Sequence, residues 1–163
     1  MFRVRKQRPP LFWEPISDNP IAVKLSNMRT ALSQGADPNE LDGPQMPRWG
    51  RPLNYAILDA ACINHESLKE NLPVVELLLA AGADPRLSGI GGMERSPLEE
   101  LRLWLEAFER RPEDFQWQEV EVSGMYEKAY EAMKRVAERL NGTCLWFLKV
   151  CRVDFELIIV AQS

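Results

Sequence analysis

Apolar residues recur at helical spacing over two stretches of the chain. From Gly124 to Asn141, Tyr126, Ala129, Tyr130, Met133, Val136, Ala137 and Leu140 fall three or four residues apart. That spacing places them on one face of a predicted helix, which Gly142 ends. Glu131 and Arg135 stand one turn apart on its other side, at the spacing of a favourable ion pair. A denser run, Val74, Val75, Leu77, Leu78 and Leu79, predicts a shorter helix closed by Gly82. Pro20 to Gln34 predicts an opening helix, with Leu11, Phe12, Trp13 and Ile16 folding back over its apolar edge. Elsewhere the pattern loosens. Phe115, Trp117, Val120 and Val122 stand among acids and glutamines, so 113–123 is expected to be an inserted loop or short strand. In 143–163, Val153, Phe155 and Leu157 alternate with Asp154 and Glu156 as in a strand, yet Leu157 to Ala161 is wholly apolar. This tail is expected to be a final packed segment, an edge that drives self-association, or a sequence unrelated to the rest.

One of these patterns occurs twice. Gly35-Ala36-Asp37-Pro38-Asn39 returns as Gly82-Ala83-Asp84-Pro85-Arg86. Counting back equally from each glycine matches Val74, Val75, Leu77, Leu78 and Leu79 with Asn27, Met28, Thr30, Ala31 and Leu32. A glycine there suits the left-handed conformation at a helix C-terminus, and the proline three residues on cannot continue the helix. After each copy comes a helix start, Arg51-Pro52-Leu53-Asn54-Tyr55-Ala56 and Ser96-Pro97-Leu98-Glu99-Glu100-Leu101. Ser96 suits an N-cap, Pro97 the first helical position, and Glu99 the place of a capping-box carboxylate. Arg110 and Arg111 complement the other end of that helix, and Pro112 stops it.

This order resembles the ankyrin repeat, in which a helix runs into Gly-Ala-Asp-Pro, a turn follows, and Thr-Pro-Leu-His-x-Ala opens the next helix. Val74 to Pro85 matches that pattern closely, and Met28 to Pro38 matches it in part. The resemblance covers roughly residues 26–101. Asn54 and Glu99 stand where the family has its His, and the two glycines lie 47 residues apart, against about 33 for the family period. The surplus falls in the loop before Pro52 and in Ile63 to Leu72, expected to be a long inter-helix loop. Such insertions cost little, because loop-closure entropy grows slowly with length. The expected fold is all-α, a short ankyrin-like helical repeat solenoid with extended finger loops and helix-loop insertions. Its parts would be an N-terminal extension or cap (1–19), the repeat domain (20–142) and the apolar tail (143–163).

Charge and composition narrow the function. Of 163 residues, 45% are hydrophobic and 27% charged, which is globular and not disordered in character. A net charge of -4 disfavours broad binding of nucleic acid. No run of apolar residues is long enough to span a membrane, since Lys149, Arg152, Asp154 and Glu156 break Leu145 to Val160. Cys62, Cys144 and Cys151 are too few for a disulfide framework, so an intracellular setting, cytoplasmic or nuclear, is expected. The basic start, Arg3 to Arg8, is expected to be a solvated tail, with a nuclear-localisation or nucleic-acid patch as the sharper alternative.

Catalytic chemistry has little to stand on. The only histidine, His65, lies three residues after Cys62, with no further Cys or His nearby to complete a metal site. Glu99, Glu100, Glu106 and Glu109 read as a solvated helix face, and Gly89, Gly91 and Gly92 match no phosphate loop. No cofactor is expected. The resemblance implies binding of another protein through finger tips and inner helices. The fingers, about Asn39 to Arg51 and Arg86 to Arg95, carry Met46, Arg48, Trp49, Arg51, Arg86, Ile90, Met93 and Arg95. Trp and Arg dominate interface energetics and Met adapts to uneven surfaces. This basic, apolar-studded edge would engage an acidic segment of a partner. The competing expectation is that Trp49 and Met46 pack down on the inner helices while the arginines are solvated. A rival functional class, a small enzyme or ligand-binding protein, would use 63–72 and 113–123 as a pocket rim.

Overall fold

The computed structural model describes residues 9–43, 50–57, 67–91, 94–110 and 124–142, and these are helical with intervening turns and no strand. Six helices follow one another. They are α1 (Pro10–Trp13), extended by a 3-10 turn over Glu14–Ile16, α2 (Ile21–Ser33), α3 (Pro52–Ile57), α4 (Ser67–Ala80), α5 (Pro97–Arg110) and α6 (124–142). The all-α expectation holds for the described residues. None of these helices is long and apolar enough to cross a membrane. The expectations for 113–123 and for the tail 143–163 fall outside the described residues.

Helices α2 and α4 each bury one stripe. On α2 the stripe is Lys24, Met28 and Ala31, and on α4 it is Asn71, Val74, Val75 and Leu78, both at spacings of three and four. All six residues of α3 are buried. Met28, Leu53, Ala56, Val74, Val75, Leu78, Leu101, Ala129 and Met133 form one core to which α2 through α6 contribute. Helix α4 packs on both α2 and α3, while α3 also touches α5 and the N-terminal turn. Between α5 and α6 the contact is aromatic: Phe108 meets Tyr126 edge-on at 5.5 Å, and Trp104 lies 6.5 Å from Tyr126. The two matched helical stretches, Met28 to Leu32 and Val74 to Leu79, thus lie side by side.

Several details differ from the periodicity. Ile63 to Leu72, expected to be loop, is helical from Ser67 onward, and Pro73 lies inside the helix. Tertiary contacts hold that turn. Asn71 is 2% exposed, its Nδ2 donates to the Pro15 carbonyl at 2.7 Å and its Oδ1 accepts from Lys24 at 3.2 Å, contacts that work against the helix-breaking tendency of proline. Of the four N-terminal apolar residues, Leu11 and Phe12 are buried, whereas Trp13 and Ile16 stay exposed. On α6 the predicted face is buried at Tyr126, Ala129, Met133 and Ala137, half-buried at Tyr130 and Val136 and exposed at Leu140, the helix includes Gly142, and Glu131 reaches Lys134 at 3.9 Å instead of Arg135.

Candidate protein-binding edge

The repeated sequence builds the same joint twice. After α2, Gly35 takes φ 90°. Its N–H donates to the Leu32 carbonyl (3.0 Å), and the Ala36 N–H donates to Ala31 (3.1 Å). After α4, Gly82 takes φ 95°, and the same pair of bonds runs to Leu79 (3.2 Å) and Leu78 (2.9 Å). This is the Schellman cap, which satisfies the last carbonyls of a helix through a left-handed glycine. A proline turn follows in both copies, closed by Glu40 N–H on the Asp37 carbonyl and by Leu87 N–H on Asp84, both at 3.2 Å. The aspartate side chains lock it, Asp37 accepting from Asn39 N–H at 2.8 Å and Asp84 from Arg86 N–H at 3.0 Å.

Asn39 then joins one joint to the other. Its Nδ2 donates to the Gly82 carbonyl at 2.9 Å, and its Oδ1 accepts from the Asp84 N–H at 2.7 Å. Arg86 occupies the corresponding place in the second copy. Its guanidinium reaches Asn141 Oδ1 near the end of α6 at 2.6 Å, while Nε and Nη2 hold the Asp84 carboxylate at 2.9 and 2.7 Å. The Arg86 guanidinium holds the Asp84 carboxyl below its usual range. Partial burial opposes this, and the Arg86 N–H and the charges of Arg86 and Arg51 reinforce it.

These joints place the predicted binding residues. Arg51 lies across the two loop bases, with Nε donating to the Ser88 carbonyl at 3.0 Å and Nη1 to the Asn39 carbonyl. Its N–H donates to Asn54 Oδ1 at 2.9 Å, so Asn54 performs the reciprocal half of a capping box at the start of α3. At the start of α5 the other half is built, Ser96 Oγ accepting from the Glu99 N–H at 3.2 Å. Arg51 and Arg86 therefore both brace the loops internally. Ile90 and Arg95 point outward: Ile90 is 51% exposed, and Arg95 makes one loose contact, 3.5 Å to Glu100. Met46, Arg48, Trp49 and Met93 lie outside the described residues.

Buried polar residues carry much of what spacing did not predict. Lys24 Nζ, 4% exposed, donates to Asn71 Oδ1 at 3.2 Å. Those two positions are 47 residues apart, the same interval as Gly35 and Gly82, so equivalent places in the two copies touch. Glu14, also buried, accepts from Asn27 (2.8 Å), Asn19 (2.9 Å) and Ser17 Oγ (3.3 Å) and ties the N-terminal turn to α2. At the first loop base, Tyr55 Oη donates to Asp42 Oδ2 at 3.0 Å and accepts from the Gly50 N–H at 3.2 Å. Aligning the chain on its own repeat would have paired Lys24 with Asn71. No local signal marks Glu14 or Tyr55.

A shallow groove of about 850 Å³ runs between α4 and α6, with Leu79, Ala80, Ala132 and Val136 as its apolar floor. Glu76, Glu138, Arg135 and Arg139 rim it, so its charges balance and select no class of ligand. Among the described residues, no group of three or more His, Cys, Asp or Glu side chains is placed to hold a metal ion. Cys62, His65 and the segment 113–123 of the expected pocket rim lie outside the described residues. No protein-family model, curated protein or solved structure matches the chain.

Proposed function

We propose that this chain is a non-catalytic protein-interaction module of the ankyrin-repeat type, an adaptor, scaffold or inhibitor acting inside the cell, in cytoplasm or nucleus. The reading treats α1 with α2, α3 with α4, and α5 with α6 as three stacked helix pairs. One observation carries it. The Asn39 carboxamide bonds the turn after α4 through both its oxygen and its nitrogen, and that turn repeats the cap and the aspartate lock of the turn after α2. Turns tied in series present their loops along one edge, and neighbouring pairs bury one another's apolar faces.

The binding edge is then the two loops, with Arg51 and Arg86 as internal braces and Ile90 and Arg95 as the outward contacts of the second loop. Met46, Arg48, Trp49 and Met93 belong to the same edge by sequence. An exposed isoleucine and an exposed arginine five residues apart in the sequence suit a partner segment that mixes acidic and apolar residues. The test compares proteins captured from lysate by the wild-type chain, by an Arg48→Ala/Trp49→Ala double variant and by an Ile90→Asp/Arg95→Glu double variant. Both variants should keep their helical circular dichroism and lose the wild-type partners. Identical capture by all three would refute this edge.

A further inference from the structure

We propose that the N-terminal turn, residues 10–16, is a latch that sets the base of the first loop through the Phe12–Tyr55 contact. Phe12 and Tyr55 are 3% and 4% exposed and form a buried pair of their own, apart from the main core. Their rings meet edge-on, with centroids 6.1 Å apart and planes at 88°. The Phe12 ring is thus a wall against which the Tyr55 ring is oriented. The far end of Tyr55 does polar work: Oη bridges the Asp42 carboxylate and the Gly50 N–H. Asp42 and Gly50 are also joined directly, Asp42 N–H donating to the Gly50 carbonyl at 2.9 Å. Both ends of the loop base are therefore gathered on one hydroxyl, and the ring that carries it rests against Phe12 of the N-terminal turn.

The turn is fastened at three further points, each on a different partner. Leu11 enters the main core, Glu14 accepts from Asn27 of α2, and the Pro15 carbonyl accepts from Asn71 of α4. Of these links, the Phe12 ring contact leads through Tyr55 to the loop. Releasing 10–16 would remove the Phe12 wall beside Tyr55 together with the bonds to Asn27 and Asn71, while Lys24 of α2 would still reach Asn71 of α4. Docking or displacement of the N-terminal turn then tunes the geometry at Asp42, Gly43 and Gly50. The coupling can be read without any partner, so it stands or falls separately from the binding role proposed above.

The test is site-resolved amide hydrogen exchange on the full chain, comparing wild type with Phe12→Ala and with Phe12→Leu, which retains apolar bulk. Tyr55→Phe, which removes the hydroxyl, calibrates the signal. In Phe12→Ala the Gly50 amide should exchange about tenfold faster, with the amides of α4 unchanged. Phe12→Leu should shift Gly50 in the same direction by less, and decides the matter if the alanine variant does not fold. Gly50 exchange that stays at the wild-type rate in the folded variant, while Tyr55→Phe accelerates it, overturns the latch. Equal acceleration at Gly50 and across α4 overturns it as well, because Phe12 would then serve the whole fold and not the loop.

Discussion

Gly35 and Gly82 owe their identity to backbone conformation alone. A Cβ at either would meet nothing within 4 Å, yet both have φ near +90°. Replacing either with alanine should cost about 1–2 kcal/mol through the left-handed penalty. Gly43→Ala, where the space is equally open and φ is not positive, should change stability by less than about 0.5 kcal/mol. Urea denaturation of the three variants separates the two cases, and equal losses at all three sites would refute the account. Such glycines are legible in a sequence because their constraint is local, set within one turn. Asn39 was not legible in that way. Its partners, Gly82 and Asp84, lie more than 40 residues further on, and nothing nearby distinguishes its carboxamide from any polar turn residue. Asn39→Ala should lose about 1–2 kcal/mol, since the partly buried Asp84 N–H is left without its acceptor.

At the level of elements, agreement follows the strength of each local signal. Helix α5 was readable at both ends: Ser96 caps it, Pro97 begins it and Arg110 closes it, with Glu106 held between Arg102 and Arg110 along its surface. Ser96→Ala should destabilise the protein by about 1 kcal/mol through loss of that cap, as thermal or chemical melting would register. Helix α4 was half readable. Its apolar run from Val74 was plain, but Pro73 masked the turn before it, because the contacts that stabilise that turn come from the N-terminal segment and α2. Burial on α4 is complete at Val74, Val75 and Leu78. Leu78→Ala should therefore cost about 2–5 kcal/mol, in the range of core truncations that leave a cavity. The proposed binding edge was the least readable element. Arginines at loop bases look alike in sequence, yet Arg51 and Arg86 brace backbone and carboxylate while Arg95 is 60% exposed.

Across the molecule, Asp84 is where the turns meet, since its N–H binds Asn39 and its carboxylate binds Arg86, which reaches on to Asn141. Its lowered pKa makes that junction a source of pH-dependent stability. Above the ordinary carboxylate range the group is ionised in both folded and unfolded chains, and the full contribution is present. As the pH falls past the ordinary aspartate value of 3.8, the unfolded chain takes up the proton first. The contribution then shrinks, and it is gone once the pH lies below the folded value. Asp84→Asn keeps the shape and an acceptor for Arg86 while removing the charge, so it should be less stable than wild type at pH 7. The gap should narrow as the pH is lowered from 5 toward 2. Asn141→Ala should also weaken the protein at pH 7, but its gap should stay constant, because the Arg86–Asp84 contact survives in it. Denaturant midpoints at several pH values distinguish these outcomes. A gap for Asp84→Asn that is the same at pH 7 and pH 3 would mean that the carboxylate charge contributes nothing to the junction, and that its hold rests on hydrogen-bond geometry alone.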